Sequence, residues 1–276
     1  MTHDRGMSAE TKVGQPLLAC NRVTKTYGSL VAVDGMELSV NAGEIVGIGG
    51  PNGAGKTTFF DIISGVTGPT NGTITFRGED ISTVPADKVC HRGIAKTFQL
   101  NAAFESMTVE ENVLCSGYFG QRPVLFPRLG YPPRLRREVE DILGLTGLRS
   151  VAHQAAGGLP VLLRKKLMIA CALATHPALL LMDEPVGGLN PKEIDETIAL
   201  VDMVRQDRGL TIVLIEHVMR FIVELCDRVV IMHHGQKLFE GTADGLTRDP
   251  AVVEVFLGEA ASRRLEHLMK DHPHHA

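Results

Sequence analysis

The sequence predicts an α/β fold with a mainly parallel sheet, an antiparallel β part and an inserted α-helical lobe. Three observations lead to this class. A glycine-rich loop at 50–58 follows an apolar strand-like run and precedes a helix-like stretch. The apolar runs at 178–182 and 211–215 have the composition of strands buried on both faces. Strand and helix patterns alternate through the last third of the chain, which is typical of a parallel sheet covered by helices.

The first part of the chain predicts the antiparallel strands. From Leu17 to about Gly78, short strand-like runs are broken by Gly, Asn and Asp turns. The run Thr73–Phe76 alternates polar and apolar residues, as a half-exposed strand does.

The middle of the chain predicts the helical lobe. Thr108 and Glu111 have the spacing of a capping box, so a helix is expected to follow. The basic stretch 120–137 contains four prolines and predicts an irregular excursion. Helical spacing returns after Val139 and again at 164–174.

The last third contains one capped helix and one hairpin. Asn190 and Pro191 predict the start of a helix between the two apolar runs. The residues 229–239, interrupted by His234-Gly235, predict a β-hairpin.

Composition narrows the function classes. The chain has 276 residues, 44% of them hydrophobic, and a net charge of −4, which gives no general reason to expect nucleic-acid binding. No run approaches the roughly 18 apolar residues of a membrane span, and the first 15 residues lack the apolar core of a signal peptide. Five scattered cysteines predict reduced thiols in a cytosolic protein.

The glycine-rich loop predicts the ligand. Its glycines let the backbone turn tightly and point successive N–H groups into one concavity, and the following helix N-terminus adds partial positive charge. Lys56 can reach the β- and γ-phosphates, and the Thr57 hydroxyl can ligate Mg²⁺. With its strand and helix, the loop predicts a P-loop NTPase core that binds a nucleoside triphosphate. The candidate nucleotide-binding residues are Gly50, Pro51, Asn52, Gly53, Ala54, Gly55, Lys56, Thr57 and Thr58.

Two carboxylates end the apolar run 178–182. Ligands gather at the carboxyl ends of strands in an open α/β sheet. Asp183 is therefore a candidate Mg²⁺ ligand, directly or through water. Glu184 lies on the other side of the backbone, where it can polarise a water in line with the γ-phosphate.

These motifs and their order resemble the ATP-binding subunits of ABC transporters, over residues 17–258. The resemblance implies that Tyr27 stacks on adenine, that Gln99 approaches Mg²⁺ and the attacking water, and that His217 contacts the γ-phosphate. It also implies that the loop 188–190 crosses to the opposite subunit of a dimer. Each single residue has a plainer alternative, with Tyr27 as core filler, Gln99 as a surface polar residue and His217 as a satisfied strand-end histidine.

The same resemblance sets the expected organisation and partners. Residues 1–16 are a flexible N-terminus, 17–258 the nucleotide-binding domain with the helical lobe at about 101–172, and 259–276 a flexible tail. The implied cofactors are ATP and Mg²⁺. The implied partners are a second ABC ATPase subunit, transmembrane permease subunits and, indirectly, an extracytoplasmic binding protein, with no nucleic acid. The chain is then expected at the cytoplasmic face of the cell (inner) membrane as a peripheral subunit.

Within the family, the branched-chain amino-acid uptake group is the most similar. The segments 183–193, 216–219 and 249–258 carry this resemblance. Urea and amide importers share much of the pattern.

One family element is altered in this chain. The family's signature, usually Leu-Ser-Gly-Gly-Gln, opens a helix and contacts the γ-phosphate bound to the partner subunit. It can be placed at 155–159, which keeps two glycines, or at 159–163, which fits the basic helix start that follows. Leu163 lies 20 positions before Asp183, the family's usual spacing, so the second placement is favoured.

In the favoured placement the signature is chemically degenerate. Pro160 offers neither a hydroxyl nor an N–H, and Leu162 puts a side chain where backbone should approach phosphate. We therefore expect a heterodimer in which this chain hydrolyses ATP against a partner's intact signature. The alternative is a nucleotide-binding regulatory or interaction subunit with little hydrolysis. A soluble ABC protein of translation or repair fits poorly, because no second nucleotide domain or long coiled coil is present.

Overall fold

The structure is a computed structural model that describes residues 14–97, 103–124 and 130–257. The strands are β1 Leu18–Tyr27, β2 Leu30–Val40, β3 Ile45–Gly49, β4 Asn71–Phe76, β5 Glu79–Asp80, β6 Ile94–Thr97, β7 Leu179–Asp183, β8 Thr211–Ile215, β9 Arg228–His233 and β10 Gln236–Gly241. The α-helices are α1 Lys56–Ile63, α2 Ala86–His91, α3 Val109–Gly120, α4 Pro133–Leu145, α5 Val161–Leu173, α6 Pro191–Arg208, α7 Met219–Leu225, α8 Ala243–Arg248 and α9 Pro250–Val252.

The larger sheet has the strand order β10-β9-β3-β8-β7-β6. Its strands run parallel, except that β10 pairs antiparallel with β9 in the predicted hairpin. Ile215 on β8 lies opposite both Ile48 on β3 and Asp183 on β7. The carboxyl ends of these three strands therefore lie at one level.

The smaller sheet has the order β2-β1-β4-β5 and is antiparallel. The sequence predicted short strands before Gly78, but β1 spans 10 residues and β2 spans 11. The pairing of β1 with β2 shifts register at Arg22, where φ is 46°, and at Gly35, where φ is 60°. Residues that predicted turns in the sequence therefore lie in β-bulges, which interrupt the pairing without ending the strands.

Two hydrophobic clusters cover the larger sheet on opposite faces. Leu180 belongs to the cluster that includes the helical lobe, and the next residue, Leu181, to the cluster between the two sheets. Both side chains are at most 1% exposed. This two-sided burial confirms the interpretation of the continuous apolar runs.

Helices α3, α4 and α5 lie between β6 and β7 in the chain and pack on one another. Contact is close because a Cβ on Gly117 would lie 2.8 Å from the Leu135 side chain. The predicted capping box at the start of α3 is present, with Thr108 and Glu111 each accepting the other's backbone N–H. Helix α6 starts after Asn190 as predicted, and the structure adds a second capping box between Asn190 and Glu193. No helix in the described ranges is long and apolar enough to cross a membrane.

Two predicted helix starts were wrong. The Pro-rich stretch was expected to be irregular as far as residue 137, but α4 begins at Pro133. A proline at the first helical position loses no hydrogen bond and has a helical φ, so it starts a helix that it would break further in. Helix α5 begins at Val161, three residues before the basic start expected from helical spacing.

Candidate functional site

The phosphate-binding loop connects the end of β3 to the start of α1. A Cβ on Gly50, where φ is 138°, would lie 2.1 Å from the Met232 carbonyl oxygen. At Gly55, with φ 96°, it would lie 2.2 Å from the carbonyl oxygen of Ala32. Gly53 also has a positive φ, but the space around it is open. Close backbone packing thus requires two of the three glycines.

The Lys56 side chain lies inside this loop. Its ammonium donates to the carbonyl oxygens of Gly50 at 2.8 Å and Pro51 at 2.9 Å. Burial lowers the pKa of Lys56, and the nearby charges of Glu184 and Asp183 oppose that shift. The Lys56 ammonium is therefore partly desolvated and held by the loop backbone, which suits it to bind a phosphate.

The remaining loop residues differ in exposure. Asn52 and Thr57 are exposed, Pro51 and Thr58 partly buried, and Ala54 buried. Thr57 lies in the first turn of α1, so its hydroxyl is available to a cation beside the phosphates. The loop residues fit a bound triphosphate with its Mg²⁺.

Asp183 is the buried last residue of β7. Its backbone N–H donates to the Thr97 hydroxyl at 3.3 Å. Burial raises the pKa of its carboxyl, and the charge of Lys96 acts in the opposite direction. Hard oxygen ligands of this kind are those that Mg²⁺ prefers. When bound, Mg²⁺ neutralises charge on the phosphates.

Glu184 adopts a left-handed conformation, with φ 49°, which is uncommon outside glycine. Its backbone N–H donates to the Ile215 carbonyl oxygen at 2.9 Å. This turn directs its carboxylate to the imidazole of His217, with Oε1 3.3 Å from Nε2. The structure thus brings together two of the three predicted catalytic residues.

The third, Gln99, is also a predicted Mg²⁺ ligand and lies outside the described residues. Tyr27 ends β1 with 51% of its surface exposed, which excludes the core-filler alternative. Lys25 lies over its ring, with Nζ 5.2 Å from the centroid.

Glu216 has a structural role that was not predicted from the sequence. This residue is 1% exposed, and its carboxylate accepts the backbone N–H groups of Val186, His217 and Val218. It therefore fixes the loop after β7 against the loop after β8. An acidic residue directly after a buried strand was the available clue, and it was read only as part of the motif around His217.

The two candidate signature segments have different structures. Residues 156–158 form a 3₁₀ turn in which the Gly157 N–H donates to the Glu105 carbonyl oxygen at 3.1 Å. The segment 159–163 opens helix α5, with Pro160 at the N-cap and Val161 42% exposed.

A groove of about 800 Å³ separates the large sheet from the helical lobe. Lys96 on β6 and Asn112 on α3 line it, together with the exposed rings of Phe104 and Phe119.

Comparison with known proteins identifies the family. The ABC transporter family model matches residues 33–187. The chain belongs to the ABC transporter family. It is therefore an ABC ATP-binding subunit that binds ATP with Mg²⁺ and hydrolyses ATP in transport, which confirms the predicted family.

The similarity to individual members of the ABC family extends over most of the chain. The chain is 36% identical to the high-affinity branched-chain amino acid transport ATP-binding protein LivG of Escherichia coli (strain K12), over 90% of this chain and all of LivG. It is 34% identical to the corresponding protein BraF of Pseudomonas aeruginosa, with the same coverage. The ADP conformation of MJ1267, an ATP-binding cassette of an ABC transporter, superposes with a TM-score of 0.80 at 30% identity, over 89% of this chain and all of MJ1267. These neighbours confirm the predicted P-loop NTPase fold with its inserted lobe.

The loop geometry separates two glycine substitutions. Gly50→Ala places a Cβ against the Met232 carbonyl, whereas Gly53→Ala costs only the positive φ, about 1–2 kcal/mol. We expect Gly50→Ala to lower the free energy of unfolding by about 1–3 kcal/mol more than Gly53→Ala. Urea unfolding of the two variants and the wild type measures this difference. Equal losses of stability would show that the close approach of the Met232 carbonyl to Gly50 does not require a glycine there.

Proposed function

We propose that this ABC ATPase powers an importer for branched-chain amino acids or related amides. Similarity to LivG and BraF over their whole lengths supports this substrate class. In this proposal the chain lies peripherally at the cytoplasmic face of the inner membrane. It works there with a second ABC ATPase and two transmembrane permease subunits, which receive substrate from an extracytoplasmic binding protein.

The proposed roles follow from the positions of the side chains. Lys56 and the loop N–H groups bind the phosphates, Thr57 and Asp183 hold Mg²⁺, and Tyr27 stacks on adenine. Glu184 orients and deprotonates the attacking water, and His217 contacts both Glu184 and the γ-phosphate. The 3.3 Å approach of Glu184 to His217 supports this pairing of base and phosphate contact.

The start of α5 carries the heterodimer proposal. In this family the γ-phosphate bound to one subunit is covered by the signature of the other. Here the exposed residues at that helix start are Pro160 and Val161, and neither has a side chain that donates a hydrogen bond. Two copies of this chain would each lack a competent cover for the partner's nucleotide. A heterodimer with a partner that has an intact signature gives one competent site and one weakened site.

Restoring the signature tests this proposal. The variant that carries the family's signature has the four changes Pro160→Ser, Val161→Gly, Leu162→Gly and Leu163→Gln. We expect it to raise ATP hydrolysis by the isolated chain at least about tenfold, because donors to the γ-phosphate return. Phosphate release at saturating Mg-ATP measures the effect. Wild-type chain alone is expected to be slow, and fast when co-assembled with its partner ATPase and permeases.

The Gly158→Ala variant is the matched control for the other placement of the signature. A Cβ there meets nothing within 4 Å, so the fold tolerates it. The assembled complex should keep its rate of hydrolysis. Loss of that rate would place the signature at 155–159, and vigorous hydrolysis by isolated wild-type chain would overturn the heterodimer.

The alternative function, a regulatory subunit with little hydrolysis, is favoured by the altered signature alone. Glu184→Gln separates the two functions, because it removes the base and keeps the shape of the side chain. We expect the assembled complex to lose at least about a hundredfold in kcat while retaining ATP affinity. Phosphate release and nucleotide-binding titrations measure the two quantities. An unchanged kcat would support the regulatory role.

We further propose that a permease helix docks in the groove between sheet and lobe. The groove is bordered by exposed aromatic rings and lies beside the end of β6, where Gln99 follows in the sequence. A cytoplasmic helix that leaves a permease has the apolar surface to cover Phe104 and Phe119.

A charged side chain in the groove should weaken binding of the chain to the permease. We expect Phe119→Asp to prevent co-purification with the permeases, because the buried carboxylate would lack a partner. Met203→Asp, at a 45% exposed position on α6, is the matched control. Nucleotide affinity should be unchanged in both variants. Normal co-purification of Phe119→Asp would exclude this docking site.

A further inference from the structure

The lysine at position 165 contacts the candidate catalytic base of its own subunit. Lys165 lies on α5, and its ammonium donates to the backbone carbonyl oxygen of Glu184 at 2.5 Å. The contact joins residues 19 positions apart and crosses from the helical lobe to the strand end. Burial lowers the pKa of Lys165, and the charges of Glu216, Glu184 and Asp183 oppose that shift. The ammonium therefore lies partly desolvated beside three acids.

The Glu184 peptide needs such a contact. Its φ of 49° is a strained conformation that persists only where several interactions hold it. The backbone supplies two of them, from Glu184 N–H to the Ile215 carbonyl at 2.9 Å and from Gly187 N–H to the Glu184 carbonyl at 3.3 Å. The hydrogen bond from Lys165 is much shorter than the one from Gly187 N–H. It also has a charged donor, and charge-assisted hydrogen bonds are stronger than neutral ones.

We propose that Lys165 is a positioning residue, which holds the Glu184 peptide so that the carboxylate stays beside His217 and the attacking water. The proposal rests on the proposed role of Glu184 as the base. Lys165 acts through the backbone of Glu184 and makes no contact with the reacting atoms. Its loss should then lower the rate of the chemical step and leave nucleotide binding unchanged.

The test uses steady-state ATP hydrolysis by the complex of this chain with its partner ATPase and permeases. We expect Lys165→Met to lower kcat about tenfold with KM within about twofold, since a displaced base costs rate rather than affinity. Lys165→Arg keeps a charged donor and should stay within about threefold of the wild-type kcat. Lys166→Met is the matched control, because the neighbouring lysine pairs with Glu196 on α6 at 3.3 Å. It should keep the wild-type kcat.

A double variant shows whether Lys165 acts through Glu184. In the Glu184→Gln background, Lys165→Met should cause no further loss of kcat. A further tenfold loss there would overturn the proposal, as would a KM that rises in parallel with the fall in kcat. If Lys165→Met prevents assembly, Lys165→Gln replaces it, because the amide is too short to reach the Glu184 carbonyl. The same tenfold fall in kcat is expected for that variant.

Comparison of the wild-type and Glu184→Gln complexes separates a wrong role for Lys165 from a wrong role for Glu184. If the wild type hydrolyses ATP, Glu184→Gln does not and Lys165→Met matches the wild type, only the role of Lys165 is wrong. If Glu184→Gln matches the wild type, Glu184 is not the base and both proposals fail.

Discussion

The register of three parallel strands places the phosphate loop, Asp183, Glu184 and His217 at one edge of the large sheet. Ile215 of β8 is opposite Ile48 of β3 and Asp183 of β7, so the segments that follow these strands leave the sheet at one edge. They are the phosphate loop, the Asp183-Glu184 pair and the Glu216-His217 pair. Because side chains on both faces of the sheet are buried, a shift of one residue would move apolar side chains to the wrong cluster. Core packing thereby fixes the geometry of the site.

Charges at this edge are arranged around the position of the phosphates. Lys56 lies inside the loop, while Asp183 and Glu184 provide the negative charge that acts on it. Glu216 is occupied by three backbone N–H groups and serves to join two loops. The three acids at this edge therefore divide into one structural carboxylate, Glu216, and two that remain available to a metal ion and a water. This division supports phosphoryl transfer to water as the chemistry of the site.

The sequence could predict the features that depend on neighbouring residues. The phosphate loop, the capping box at Thr108, the helix start at Asn190-Pro191 and the buried strands were of this kind, since each has a short pattern with one physical meaning. The contacts of Lys165 with Glu184 and of Glu216 with Val186 could not be predicted, because they join residues 19 and 30 positions apart through the tertiary fold. The start of α4 was missed for another reason. Proline breaks a helix in its interior and favours one at its first position, so composition alone did not decide between the two.

In the proposed heterodimer this chain provides one competent half-site and one weakened half-site. Counting the nucleotides that turn over rapidly tests it most directly. The complex with its partner ATPase and permeases is loaded with ATP at both sites, mixed with Mg²⁺ and quenched within the first turnover. We expect a rapid burst of one ADP per dimer of ATPase subunits, with the second ATP hydrolysed much more slowly. A burst of two ADP per dimer would contradict it, because the segment 159–163 would then cover the partner's nucleotide as well as an intact signature does.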